Sequence, residues 1–147
     1  MTTAVSSDQR TGRSLISGDV FASIVAFVVH HEKRDLETAE RITDQALAFV
    51  ATAAESTLPM VPSDDVDMGL HAFILHTREY REFCQQYAGR FLDHNARPGT
   101  PRKVEDVTAS AHAIKAAGFV VFDGLWSVNG ENAAQCDSDC GRPYGAS

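Results

Sequence analysis

Apolar side chains recur at helical spacing in five separate stretches of this 147-residue chain, and residues that start or stop helices separate the stretches. A period of about 3.6 places those side chains on one face of each helix, so the chain has five stripes to bury against one another and little alternating pattern to offer a sheet. Ser17 caps a first helix striped by Val20, Phe21, Ile24, Val25 and Val28. Asp35 opens the second, with Leu36, Ala39, Thr43, Ala46, Leu47, Val50 and Ala53 on its inner face and Glu37, Glu40, Arg41 and Asp44 on its outer one. Leu58-Pro59-Met60-Val61-Pro62 cannot prolong that helix, because each proline lacks an amide donor and pushes the residue before it out of helical conformation. Ser63 then starts a third helix whose first turn carries Asp64 and Asp65, where the helix dipole favours negative charge. Thr77 caps a fourth that Gly89 ends, and Thr100-Pro101 opens a fifth that runs to Gly118.

These signals predict helices near 18–31, 36–56, 64–75, 78–88 and 101–117, with at most a short strand at 119–122. The fold class is all-α: a compact single-domain bundle of about five helices with a loop-rich C-terminal tail. Residues 1–16 read as a flexible N-terminus, 17–122 as the helical domain, and 123–147, rich in Gly, Asn, Ser and Asp, as an acidic, cysteine-containing tail. The stripes assign Phe21, Ile24, Val28, Leu47, Val50, Leu70, Ile74, Phe83, Tyr87, Val107 and Ile114 to the core.

Composition narrows the partners. With 13 basic and 20 acidic side chains the formal charge is −7, which leaves no broad positive field for phosphate backbones or anionic lipid, so neither nucleic acid nor a membrane is expected. Arg97, Arg102 and Lys103 are the nearest approach to a basic patch, but Glu105 and Asp106 follow at once and the group reads as solvated surface. The apolar run from Val20 to Val29 is about half of the ~20 residues that span a bilayer. Residues 1–13 hold no apolar stretch of the kind a secretory signal requires, so a cytoplasmic location is expected. There the three cysteines, Cys84, Cys136 and Cys140, are reduced thiols or metal ligands rather than a disulfide framework.

Most reactive side chains fall between Asp67 and His94. Asp67 and His71 are four residues apart and share a helical face, where the carboxylate can fix one imidazole nitrogen and leave the other free. The same pair also reads as a first-turn charge beside a satisfied histidine. Cys84 lies on the stripe of Tyr80 and Tyr87, where a thiol usually serves as a small hydrophobe. His76 sits at the junction of the third and fourth helices, and His94, beyond the Gly89 stop, is placed to fold back on them. The spacing Cys136-x3-Cys140 is not that of a zinc knuckle, and two thiolates do not close a tetrahedral site unaided.

The pattern Asp67-x3-His71-x4-His76-Thr77-x2-Tyr80-x2-Phe83-Cys84, closing with Gly89 and His94, resembles small actinobacterial proteins grouped as glycine-rich domain-containing-protein-like. The resemblance extends to Thr11-Gly12-Arg13-Ser14 and the alanine-rich second helix, and it covers most of the chain up to about Leu92. It implies a helical core bearing His and Cys and establishes no activity. Leu70 stands where relatives have tryptophan before the motif histidine, and Phe73 where they have a second histidine.

Three functions fit these residues. In the first, His71, Cys84 and His94 bind a transition ion, zinc foremost, with Asp67 as a further ligand or an orienting acid, in a metal-binding protein or a metal-dependent enzyme. In the second, Cys84 is a metal-free nucleophile with His71 as base and Asp67 orienting it. In the third, the helical stack is a non-catalytic interaction module. His76, Tyr80, Cys136 and Cys140 are the remaining candidates for a site.

Overall fold

A computed structural model describes residues 9–94 and 102–127 of the chain. Thr100-Pro101, Arg97, Cys136, Cys140 and nearly all of the tail lie outside the described residues. Five helices form: α1 (Gly18–Glu32), α2 (Leu36–Ala53), α3 (Asp64–Leu75), α4 (Thr77–Ala88) and α5 (Val104–Ala116), with 3-10 turns at Gly12–Leu15 and Asp123–Leu125. Among the described residues there is no strand. In place of one at 119–122, Phe119 makes an isolated parallel bridge with Arg10. Among these residues no helix is long and apolar enough to cross a membrane.

The side-chain caps fall where the polar residues precede each stripe. Ser17, Asp35 and Ser63 accept hydrogen bonds from the amides of Val20, Thr38 and Val66, each satisfying a donor that the first helical turn leaves orphaned. Two starts differ from expectation. Thr77 is already helical and His76 stands in the cap position without a side-chain bond, so a single residue (φ −85°, ψ 70°) separates α3 from α4. α5 begins at Val104 rather than 101, since Lys103 before it is extended (φ −87°, ψ 135°).

α2 is the axis of the bundle. Every residue from 42 to 52 is buried, which is the mark of a helix enclosed on all sides rather than of one with a wet face. Asp44, expected on the outer face, is only 6% exposed. What covers it is the 3-10 turn at Gly12–Leu15, where the amide of Arg13 donates to Asp44 Oδ1 at 2.7 Å. The turn lies so close that a Cβ on Gly12 would stand 1.9 Å from the Asp44 carbonyl oxygen. Burial pushes the Asp44 carboxyl up, against the bonds from Arg13, Gln45 and Gly12 that pull it down.

Gln45, fully buried beside it, is satisfied at both ends of its amide. Its Nε2 donates to Asp44 Oδ2 (3.1 Å) and to the Val120 carbonyl (2.9 Å), while Oε1 accepts from the Phe122 amide (3.1 Å) and the Trp126 indole (2.8 Å). Arg10 and residues 118–120 exchange backbone bonds of 2.8 and 2.9 Å alongside. Both ends of the described chain therefore meet on two consecutive polar residues of the central helix.

α3 crosses α2 closely at Gly69, where a Cβ would lie 2.8 Å from the Ile42 carbonyl oxygen and 2.9 Å from Ala46 Cβ. Of the expected core residues, nine are buried and two, Ile74 and Tyr87, are half-buried. Ile74 sits in the last turn of α3, next to Leu75 at 62% exposure, where the helix runs beyond its cover. Gln45→Leu should destabilise the protein by about 3 kcal/mol or more, because each buried polar group left unpaired costs about 1–3 kcal/mol and all four of its partners would lose that bond. Urea unfolding measures this, and a loss under about 0.5 kcal/mol would show that water replaces the amide at no cost.

Candidate metal centre

Helical spacing sets Asp67 and His71 one turn apart on α3. Asp67 is 9% exposed, and its Oδ2 stands 3.4 Å from His71 Nε2, the distance of an ion pair rather than a hydrogen bond. His94 reaches the same carboxylate from another direction. After α4 the chain reverses at Gly89, in the left-handed conformation (φ 72°), and residues 91–94 return over α3 and α4. The Tyr80 hydroxyl donates to the Leu92 carbonyl at 2.6 Å, and the Phe91 ring meets Tyr80 edge to face at 5.4 Å, so the returning segment is fixed two residues before His94. His94 Nε2 then lies 3.3 Å from Asp67 Oδ1, and its ring centroid lies 5.2 Å from that of His71.

Asp67 Oδ1 and His94 Nε2 are both buried and neither makes a hydrogen bond. One carboxylate oxygen and two imidazole nitrogens, from Asp67, His71 and His94, lie within 4.8 Å of one another. Among the described residues this is the group of His, Cys, Asp and Glu side chains able to hold a metal ion.

The far side of the carboxylate belongs to Arg102. Its Nε donates to the Pro62 carbonyl (2.7 Å), Nη1 to the Asp64 carboxylate and Nη2 to Asp67 Oδ2 (3.0 Å). Arg102 is therefore not the solvated surface residue the basic triplet suggests; Lys103 beside it is exposed. No stripe could have revealed it, since it precedes α5. The signal available was Asp64, Asp65 and Asp67 crowded in one first turn, a charge that needs a cation near it. Burial pushes the Asp67 carboxyl up, but the approach of His94 and His71 and the positive charge of Arg102 outweigh this and hold it below its ordinary value of 3.8.

The other candidates lie apart from this group. Cys84 is a free thiol with no exposed surface, on the inner face of α4 beside Tyr80. Burial and the neighbouring Cys84 push the Tyr80 hydroxyl far up, and its proton is committed to Leu92, so Tyr80 holds a loop rather than trading protons. His76 turns to α1. Its Nδ1 lies 2.7 Å from the Ala72 carbonyl, which can only accept, so that nitrogen carries the proton and Nε2 receives the Ser23 hydroxyl at 2.9 Å.

A pocket of about 600 Å³ opens beside the cluster, lined by His71, Ile74, Leu75, Tyr80, Phe91, Leu92, Asp93 and His94. Two members of the cluster thus form part of its wall.

A family model described as UCP032817-like matches residues 20–115, more than half of the chain and a span that includes Asp67, His71, His94 and Arg102. That description says nothing of glycine-rich or actinobacterial character. No curated protein and no solved structure matches the chain.

Removing the cation should expose the acid dependence of Asp67. Because its carboxyl is held below 3.8, its contribution to stability is present above that value and is lost as pH falls through the lower folded value. Arg102→Gln should cost about 1–3 kcal/mol at pH 7, the range of a bond to a charged group. It should also shrink the stability lost between pH 5 and pH 2, followed by urea unfolding across that range. An unchanged acid limb would show that Arg102 does not set the Asp67 carboxyl.

Proposed function

The chain belongs to the UCP032817-like family, and from the side chains gathered within the matched span we propose that it binds a divalent transition-metal ion, zinc first, through Asp67, His71 and His94. The observation that carries this reading is the pair of buried atoms, Asp67 Oδ1 and His94 Nε2, that face each other at 3.3 Å without a hydrogen bond. Such atoms normally hydrogen-bond when buried, and here each has only the other's ion-pair contact. Ligands about 2.0–2.1 Å from a tetrahedral zinc ion stand about 3.3–3.4 Å from one another. The contact of Asp67 Oδ1 with His94 Nε2, 3.3 Å, has that length, and His71 Nε2 stands 3.4 Å from the neighbouring oxygen, Oδ2. Both distances are longer than the bonds these atoms would otherwise make.

Two imidazoles and one carboxylate suit zinc, iron or copper better than magnesium or calcium, which prefer oxygen alone. Asp67 takes the place that the sequence pattern offered to Cys84. Three protein ligands leave a fourth position, and with His71 and His94 in its wall the pocket is where that position opens. Open coordination of this kind is characteristic of catalytic rather than structural sites, so the reading extends to a metal-dependent enzyme acting on a small molecule. Arg102 would act as a positioning residue, holding Oδ2 so that Oδ1 turns to the ion.

Two other readings draw less support. For a thiol nucleophile, Cys84 lacks exposure and, among the described residues, a histidine partner, its neighbour being Tyr80. For an interaction module, nothing on the surface of the described residues singles out a macromolecular partner.

Protein prepared without a histidine tag and stripped with EDTA should bind one equivalent of zinc in calorimetric titration. His71→Ala and His94→Ala should each weaken uptake by about 100-fold or more, and Arg102→Gln by about 10-fold, the range seen when ligands and the residues that orient them are lost. Helical circular dichroism should stay unchanged, because both histidines are partly exposed. Zinc uptake equal in wild type and His71→Ala would overturn the assignment and leave Asp67 as the centre of a structural ion-pair network.

A further inference from the structure

We infer that the pocket beside this centre takes a small monocarboxylate with an apolar aryl or alkyl body, its carboxylate completing the coordination of the ion. The inference rests on the metal reading and adds the chemistry of what binds there. Three features of the pocket carry it: its charge, its lining and its two exposed apolar side chains.

Charge sets the head group. A divalent ion held by Asp67 as its single anionic ligand keeps one net positive charge, and the nearby Arg102 is answered by its bond to Asp64. An anion at the open position cancels what remains, beside a carboxylate, Asp67, whose side chain is only 12% exposed and whose charge is less screened than at the surface. A carboxylate does this while supplying the hard oxygen donor that zinc accepts.

Lining sets the body. Past the two histidines the walls are Ile74, Leu75, Tyr80, Phe91 and Leu92, and the Tyr80 hydroxyl is already spent on the Leu92 carbonyl. Asp93 is the one acidic residue of the wall and is exposed, and it disfavours a second negative charge on the occupant. An occupant with one charged end and an apolar remainder meets these walls without stranding a polar group. The volume, about 600 Å³, lies within the range of small-molecule sites. Leu75 and Phe91, 62% and 55% exposed, are large apolar side chains left open to water at the pocket. An apolar body covers both, which is the gain that would draw it in.

Calorimetry with three probes tests this on zinc-loaded protein: 3-phenylpropanoate, its neutral amide 3-phenylpropanamide, and acetate, which is head without body. The expected result is 3-phenylpropanoate binding about 10-fold or more tighter than either control, and about 10-fold or more tighter than to EDTA-stripped protein. Leu75→Asp, at an exposed position that tolerates charge, should weaken 3-phenylpropanoate by a similar factor while the titration with zinc alone stays as in wild type. Zinc uptake with no preference for 3-phenylpropanoate over acetate overturns the apolar body, and equal binding of the amide overturns the anionic head. Absence of zinc uptake overturns the metal reading itself, and this inference with it. The zinc titration therefore separates the two failures.

Discussion

The amide of Gln45 is the interaction on which this fold turns. A primary amide sunk without solvent contact in the central helix is costly unless all its bonding capacity is met, and here three of its four partners come from beyond α5. Asp44, the residue before it, fastens the 3-10 turn at Gly12–Leu15, and Gln45 fastens the segment that carries Val120, Phe122 and Trp126. Two adjacent polar residues thereby specify how chain before α1 and chain after α5 cover α2. Apolar packing alone would reward many arrangements of five greasy stripes; the fixed directions of these bonds reward one.

The position of the cluster follows from the way α3 is seated on that axis. Gly69 has to face α2, because no side chain fits between the helices there. Two residues along a helix correspond to a rotation of about 200°, so Asp67 and His71 are turned to the opposite side. That side is where Arg102 arrives from before α5 and His94 from after α4. A close helix crossing thus aims the polar face of α3 at the two segments that complete the cluster, and Tyr80 secures one of them through a backbone carbonyl.

How much of this could be read in advance depends on the range of the interaction. The helices were readable because caps and stripes are local: Ser17, Asp35 and Ser63 announce themselves within four residues. Asp44 was misplaced on a wet face because polarity is a fair guide to exposure only while no other segment arrives to bond it, and Arg13 lies 31 positions away. Arg102 was taken for surface for the same reason, its partners Asp64 and Asp67 being on a different helix. The Asp67 and His71 pair was visible as one helical turn, and His94 as a return after the Gly89 stop. Cys84 obeyed its stripe and went inside, so the pattern that suggested a reactive thiol was reporting packing.

The bonds of Gln45 also impose an order on synthesis. A ribosome releases the N-terminal end first, so α1, α2 and the turn at Gly12–Leu15 emerge together and can associate early. The amide in their midst, however, acquires its second acceptor and both its donors only when residues 120–126 have left the exit tunnel, 75 to 81 positions later. Until then the nascent bundle holds an unmet polar group against its forming core, and the helix that will become its axis is open on one side to water. Completion of the fold is therefore tied to near-completion of the described chain, and a truncation product ending before Trp126 would be marked by an exposed, unsatisfied α2, a form that quality-control proteases can recognise.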